Sequence, residues 1–189
     1  MKQPRVDDLT VKDYQKLVEN RLRASLKLPV KREWWALKEH PTLYSPRVDI
    51  AVGPFVYDAS CITDQHDRAI VQCEKPIRTM LAYHKQNIKS LQWDTCTTSF
   101  EDLCYKNKSA RCFLAIEIEN GVNPKHLTGD ILNAMALGRL GIVVPYTDDA
   151  LKAFVRIRKC FWYLSATNNL DTKNLLILKK EQLVDTFIL

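Results

Sequence analysis

Apolar and polar positions along the chain switch between a helical repeat and a strand-like alternation. A helical repeat begins at residue 11, where Thr10 and Asp13 form a capping pattern, and it ends before Pro29. Its apolar positions recur every three or four residues: Val11, Tyr14, Val18, Leu22 and Leu26. This spacing predicts a helix over residues 11–28 with one buried face.

Two later segments alternate with the period of a β-strand. Residues 47–53 place three aliphatic side chains on one face and Asp49 on the other. Residues 111–119 alternate in the same way, and Glu117 and Glu119 share one face of that strand. Both segments are therefore predicted to be strands of a sheet.

The rest of the pattern adds further helices and two short strands. Helices are predicted over residues 76–91, 123–139, 148–166 and 181–187, and strands over 141–145 and 174–179. The resulting order is typical of an α/β sandwich around a mixed sheet. Residues 55–110 have the least regular pattern and predict an insertion within a single domain spanning residues 1–189.

Composition narrows the class of protein. The chain has 189 residues, of which 46% are apolar and 26% charged, as in an ordinary globular domain. It has only five glycines, which argues against glycine-rich nucleotide-binding loops and against a flexible linker. The net charge of +6 favours polyanionic partners such as nucleic acid, although charge alone identifies none.

The cysteines and the apolar runs indicate the compartment. The six cysteines contain no CxxC pair: Cys61, Cys73, Cys96, Cys104, Cys112 and Cys160. No apolar run reaches membrane-spanning length, and residues 1–8 do not resemble a signal segment. We expect a cytoplasmic protein with reduced thiols and no membrane contact. A zinc site that combines cysteines with His66 or His84 remains a minor alternative.

The acidic pair on the second strand requires an explanation. Strand geometry separates the Cα atoms of Glu117 and Glu119 by about 6.5–7 Å, so their charges repel. A divalent cation such as Mg²⁺ would relieve this repulsion, and Asp49 offers a third carboxylate. The alternative is that this face of the sheet is simply exposed to solvent.

Together these residues resemble the PD-(D/E)XK superfamily of nucleases. The chain has Pro46-Arg-Val-Asp49, then Glu117-Ile-Glu119, then a predicted helix and a short strand. Glu19 on the first helix matches a glutamate that is common there in this superfamily. The resemblance covers about residues 10–165 and implies a restriction-endonuclease-like mixed central sheet flanked by helices.

The resemblance also implies roles for these residues. Asp49 and Glu117 would bind Mg²⁺ or Mn²⁺ with the Ile118 carbonyl, and Glu19 would lie at the edge of the site. Glu119 occupies the lysine position, where it would act as a general base or bind a second metal ion. The implied activity is endonuclease hydrolysis of phosphodiester bonds, with DNA favoured over RNA.

Two departures from the superfamily pattern leave alternatives open. With glutamate in place of lysine, the chain could be a catalytically silent relative that binds nucleic acid or a protein, although Lys125 could supply a displaced cation. A second rival is an unrelated α/β interaction domain with surface carboxylates. The strands of Asp49 and Glu117 are also far apart in sequence. Their intervening insertion offers cations suited to phosphate contacts: Lys75, Arg78, Lys85 and Lys89.

Several other residues are candidates with ordinary structural explanations. His126 could approach the site from the start of its helix, or simply lie on the helix surface. Arg156, Arg158 and Lys159 could contact a DNA backbone or form a solvated helix face. The pairs Trp34-Trp35 and Trp162-Tyr163 are expected in the core or at a homodimer interface, in preference to stacking on bases.

Overall fold

The computed structural model describes residues 6–37, 42–57, 62–91, 98–165 and 171–187. A short 3-10 turn at Val6–Asp8 precedes the first helix. The helices are α1 (Val11–Leu26), α2 (Thr63–Gln72), α3 (Glu74–Ser90), α4 (Phe100–Tyr105), α5 (Pro124–Leu137), α6 (Asp148–Ser165) and α7 (Lys180–Thr186). The strands are β1 (Val30–Trp35), β2 (Arg47–Val52), β3 (Cys112–Glu119), β4 (Gly138–Pro145) and β5 (Leu175–Ile177).

The five strands form one mixed sheet in the order β1-β2-β3-β4-β5. The first three strands pair antiparallel, whereas β3, β4 and β5 run parallel. This confirms the predicted α/β class with helices flanking a mixed sheet. The strands of Asp49 and Glu117 are neighbours in the sheet despite their separation in sequence, because the segment between them forms α2, α3 and α4 outside the sheet.

Both faces of the sheet are covered by helices. On one face, Ile50, Ile116 and Ile142 pack in a cluster with residues of α1, α2, α3 and α7. On the other face, Val143, Leu175 and Ile177 pack under α5 and α6. Burial on both sides explains why β3 and β4 read as almost continuous apolar runs.

The helix starts show how far local chemistry determined these elements. The Thr10 hydroxyl accepts a hydrogen bond from the Asp13 amide, and Asn123 caps α5 ahead of Pro124, as predicted. The sequence pattern predicts Asp148 as the N-cap of α6, and this is wrong, because Asp148 is the first residue of that helix. The Thr147 hydroxyl accepts from the Ala150 amide instead, at 3.2 Å.

Three elements escaped the sequence patterns, namely β1, α2 and α4. Strand β1 exposes Lys31, Arg32 and Glu33 in succession, so its side chains do not alternate between core and solvent. Glu33 has a φ of 49°, which is rare for a residue with a side chain and which turns the strand locally. As an edge strand bonded to β2 alone among the described strands, β1 tolerates this irregularity.

Close packing of α5 against β4 positions the end of the sheet. A Cβ atom at Gly141 would lie 2.7 Å from the carbonyl carbon of Ala134, so only glycine permits this approach. Helix α5 also passes into β4 without a loop, since it ends at Leu137 and the strand begins at Gly138. The helix residues just before Ala134 are thereby fixed above β3.

Candidate functional site

A cavity of about 520 Å³ lies beside α5, where the start of β2 meets the end of β3. It has room for a phosphate group with water. Its lining comes from three strands, one loop and one helix: Trp35, Tyr44, Ser45, Arg47, Asp49, Glu117, Ile118, Glu119, Asp130 and Asn133. We call it the carboxylate cavity. Four of these described residues are acidic and Arg47 alone is basic, so the cavity has excess negative charge.

The carboxylates meet where β2 and β3 separate. The paired register of the two strands ends at Ile50 opposite Ile116. Beyond it, side chains replace the backbone pairing. Asp49 Oδ2 accepts a hydrogen bond from the Ile118 amide at 2.7 Å, and Glu117 Oε2 accepts one from the Asp49 amide at 3.2 Å. The structure therefore brings together the two residues expected to bind metal.

Glu117 is a buried carboxyl group surrounded by other acids. Its exposed fraction is 6%, which rules out the expectation of a simply solvated face. Burial raises the pKa of Glu117 to about 9, and repulsion from Asp49 and Asp130 adds to the rise. The Asn133 amide donates to Glu117 Oε1 at 3.3 Å, which only partly offsets these effects.

Asp49 is less strongly perturbed. Burial raises the pKa of Asp49 to about 6, and repulsion from Glu33 contributes to the rise. The hydrogen bond from the Ile118 amide, the Arg47 charge and a hydrogen bond with the Gln15 side chain all lower it. Asp49 and Glu117 both lie at the strand fork, the point where β2 and β3 separate. Their pKa values differ because their surroundings differ.

Asp130 on α5 is a fourth acid that the sequence patterns did not single out as a site residue. Burial raises the pKa of Asp130 to about 7, with further repulsion from Glu119 and Asp49. Its Oδ2 atom is buried and has no hydrogen-bond partner among the described residues. One sequence feature could have identified Asp130. It lies beside the apolar stripe of the helix that directly follows the Glu-X-Glu strand.

Glu119 lines the same cavity and has a different setting. Its Oε1 atom accepts a hydrogen bond from the Gly121 amide, and its backbone carbonyl accepts one from the Tyr146 amide. The side chain is therefore held at the rim, past the end of the buried part of β3. Asp49, Glu117 and Glu119 all line this one cavity.

Glu19 is not among the residues that line the cavity. It forms ion pairs with Arg23 at 2.9 Å and with Arg32 at 2.7 Å. Gln15, one helical turn earlier on α1, makes the contact with Asp49 instead. The difference of one turn follows from helix geometry, because residues four apart share a face but reach different heights along it.

The predicted phosphate-binding cations do not meet at this cavity. Lys75, Arg78, Lys85 and Lys89 lie on α3, whose buried side chains pack mainly on the opposite face of the sheet. Arg78 pairs with Glu74 at 2.7 Å and stacks over Phe100. Their predicted role in binding stays untested by this geometry.

Other predicted cations near the site also fall outside the lining. Lys125 and His126 are exposed at the start of α5, and neither lines the cavity. The cluster on α6 is divided: Arg156 and Lys159 are exposed, whereas Arg158 is buried and donates to Thr98 at 3.0 Å. A solvated face that includes Arg158 is therefore wrong.

The donor set fits a hard divalent cation in part. Among the described residues, no group of three or more His, Cys, Asp or Glu side chains is arranged to hold a metal ion. Mg²⁺, however, commonly uses only one or two carboxylates and completes its octahedron with water and substrate phosphate. Clustered acids with raised pKa values and a buried, unpartnered Asp130 oxygen are consistent with such an open site.

The zinc alternative finds no support in the described residues. His66 and His84 are buried, and each bonds to the backbone, at Pro54 and Ile177. Cys73, Cys104 and Cys112 are buried free thiols, and Cys160 is an exposed one. Cys61 and Cys96 lie outside the described residues.

Two wider observations complete the description. Among the described helices, none is both long and apolar enough to cross a bilayer. A scan of protein-family models, a search of curated proteins and a search of solved structures each found no match to this chain.

Proposed function

We propose that this protein is a metal-dependent endonuclease that hydrolyses phosphodiester bonds, in DNA by preference. Asp49 and Glu117, with the Ile118 carbonyl and Glu119, would bind Mg²⁺ or Mn²⁺ in a restriction-endonuclease-like arrangement. The resemblance of Pro46-Arg-Val-Asp49 and Glu117-Ile-Glu119 to the PD-(D/E)XK pattern supports the assignment. The free thiols of the described cysteines support a cytoplasmic location.

One observation is the main support for this proposal. Glu117 is buried beside Asp49 and Asp130, and all three carboxyl groups have raised pKa values. A protein gains no stability from placing like charges together in a low-dielectric cavity. Such an arrangement is typical of sites that bind a cation or transfer a proton.

The residues divide the chemistry between them. A bound divalent cation supplies a Lewis acid and lowers the pKa of water. Asp49 and Glu117 would hold the cation at the strand fork, where the Ile118 amide already orients Asp49. Glu119, at the rim, would accept the proton of the attacking water. Asn133 and the Asp49 amide orient Glu117, because each donates a hydrogen bond to one of its two carboxyl oxygens.

The proposal is tested by a cleavage assay. Wild-type protein is incubated with supercoiled plasmid, single-stranded DNA and RNA in Mg²⁺ and in Mn²⁺, with EDTA as the blank. The Glu117→Gln variant should lose cleavage, because it keeps the size of the side chain and removes its charge. Glu101→Gln, the same change at an exposed position on α4, is the matched control. Cleavage by Glu117→Gln at the wild-type rate would refute the site.

A catalytically silent relative is the second candidate, and Glu119 in the lysine position favours it. Under the nuclease proposal, Glu119→Ala should nearly abolish cleavage and leave nucleic-acid binding intact. Glu119→Lys restores the commoner superfamily pattern. If the wild-type protein cleaves no nucleic acid and Glu119→Lys gains activity, the silent relative is the correct reading.

A further inference from the structure

Exposed aromatic rings lie on β1 and on the segments before and after β2, beside the carboxylate cavity. Trp34 is in the core, as expected, but Trp35 is 43% exposed and therefore is not a core residue. Tyr44 is 84% exposed, and the Tyr57 ring is also open to solvent. We call Trp35, Tyr44 and Tyr57 the β1 aromatic strip.

The strip is continuous with the candidate active site. Trp35 and Tyr44 line the carboxylate cavity. Trp35 also lines a second pocket on the outer surface of β1, together with Tyr57 and Lys31. The Trp35 side chain thus forms part of the wall of both pockets. A ligand that lies along the outer pocket can therefore reach the carboxylates without leaving the protein surface.

Cations alternate with these rings. Arg47, opposite Trp35 in the strand register, lies over the Trp35 ring at 5.6 Å. Lys31 lies about 5 Å from the ring centres of both Phe55 and Tyr57 and donates to the Tyr57 hydroxyl. Lys31 therefore presents positive charge beside the rings, whereas the charge of Arg47 is partly balanced by an ion pair with Glu33 at 2.7 Å.

We infer that the β1 aromatic strip binds single-stranded nucleic acid and directs it into the carboxylate cavity. The inference rests on the proposed nuclease function and names the substrate of the same site. Exposed ring faces stack on unpaired bases, whereas the bases of a duplex are already stacked and paired. Alternating aromatic and basic side chains are the usual surface for a single strand, because the rings hold the bases and the cations hold the phosphates.

Binding is measured apart from cleavage, in the Glu117→Gln background without divalent cation. Fluorescence anisotropy follows labelled single-stranded DNA, single-stranded RNA and a hairpin duplex, each about 12 nucleotides in length. We expect the single strands to bind about tenfold more tightly than the duplex, and Trp35→Ala to remove about that factor. The DNA and RNA arms identify the natural sugar.

Two further variants separate stacking from folding. Trp35→Phe keeps an aromatic face and should restore most of the binding that Trp35→Ala loses. Trp162→Ala removes a tryptophan of similar exposure, 39%, from α6, where it lines neither pocket, and should leave binding unchanged. Thermal melting of each variant checks that it is folded.

The outcomes distinguish this inference from the proposed function. Any of three results would overturn the inference that the strip binds single strands. They are equal losses of affinity for Trp35→Ala and Trp162→Ala, equal affinity for duplex and single strands, and a dimer that buries Trp35. Metal-dependent cleavage of duplex DNA that Trp35→Ala does not affect would overturn it and leave the nuclease proposal intact. Binding that depends on the strip, in a wild-type protein that cleaves no nucleic acid, would support the strip and overturn the nuclease proposal.

Discussion

Two buried charged groups in this fold have opposite surroundings. Arg139 on β4 has no exposed side-chain area, yet it pairs with Asp67 at 2.6 Å and donates to the Asn107 carbonyl. Glu117 on β3 is buried next to two acids. It forms no ion pair with any basic residue in the described part of the chain. The first charge is neutralised by the fold itself, whereas the second needs a proton or an external cation. This difference separates a structural charge from a functional one.

The largest expected effect is a separation of activity from stability. Under the nuclease proposal, Asp49→Asn should reduce kcat for cleavage by at least about 1,000-fold, because it removes one charge that would bind the cation. Asp67→Asn should leave kcat near the wild-type value and destabilise the fold by about 2 kcal/mol, a figure reduced because Asp67 is partly exposed. Single-turnover cleavage and thermal melting of both variants measure the two effects.

The reverse result for these two variants would contradict the distinction between a structural and a functional buried charge. Loss of cleavage in Asp67→Asn at temperatures well below its melting point would show that the Arg139 ion pair also contributes to the active site. Undiminished kcat in Asp49→Asn would show that the strand fork is not the reactive centre.

The pH dependence of stability provides the second test. The folded-state pKa of Glu117 is about 9 against an ordinary value of 4.5, so the folded protein binds one more proton than the unfolded chain between these values. Without metal, the contribution of Glu117 to stability should therefore fall as pH rises from about 5 to 9, on the order of a few kcal/mol. Urea unfolding at several pH values in EDTA measures this slope.

Glu117→Gln should flatten that slope between about pH 7 and 9, above the raised pKa values of Asp49 and Asp130, because glutamine does not titrate, and it should be the more stable protein at pH 9. Asp67→Asn should keep the slope. A wild-type protein whose stability in EDTA is constant across this range would mean that Glu117 ionises without penalty, and the comparison with Arg139 would fail.

Metal binding should produce a smaller effect on the same cavity. Mg²⁺ or Mn²⁺ at saturating concentration should raise Tm by several degrees, since ligand at about 100 times Kd adds about 2.7 kcal/mol. The gain should disappear in Asp49→Ala. Scanning calorimetry with and without metal measures it, and Ca²⁺ in place of Mg²⁺ tests selectivity. The absence of heat of binding at millimolar metal would favour an interaction domain with unoccupied acids.

The smallest effect concerns Glu19. Because it pairs with Arg23 and Arg32 and does not line the cavity, Glu19→Gln should change kcat by less than about threefold. Gln15→Ala should change it more, since Gln15 contacts Asp49. The opposite order in parallel cleavage assays would return Glu19 to the active site that the superfamily resemblance implied for it.

The sequence was informative where side-chain periodicity and burial coincide. Val48, Ile50 and Val52 alternate with Asp49, and that alternation predicted both β2 and the direction of the carboxylate. Strand β1 could not be read in this way, because Glu33 adopts a positive φ and three successive side chains are exposed. Helix α4 is too short for its periodicity to be distinctive.

The site was predictable as far as one strand pair extends. Asp49, Glu117 and Glu119, which line the cavity, followed from strand period and the Glu-X-Glu spacing only through the superfamily resemblance. Asp130 did not, because its place in the cavity depends on the packing of α5 against β4, which is a contact between surfaces and not a local pattern. The choice of Gln15 over Glu19 depends in the same way on the height at which α1 crosses β2.

The close contact between Gly141 and Ala134 has a consequence for mutational mapping of this protein. Gly141→Ala would displace α5, and with it Asp130 and Asn133, by an amount comparable to the 1 Å shifts that cost about 100-fold in rate. In a deep mutational scan for activity, Gly141 would score among the most intolerant positions although it has no side chain to take part in the reaction. Because the atoms that the new Cβ would meet belong to the backbone of Ala134 and Met135, no smaller side chain at these positions restores the spacing, and the scan would locate the proposed active site through a residue that never touches substrate.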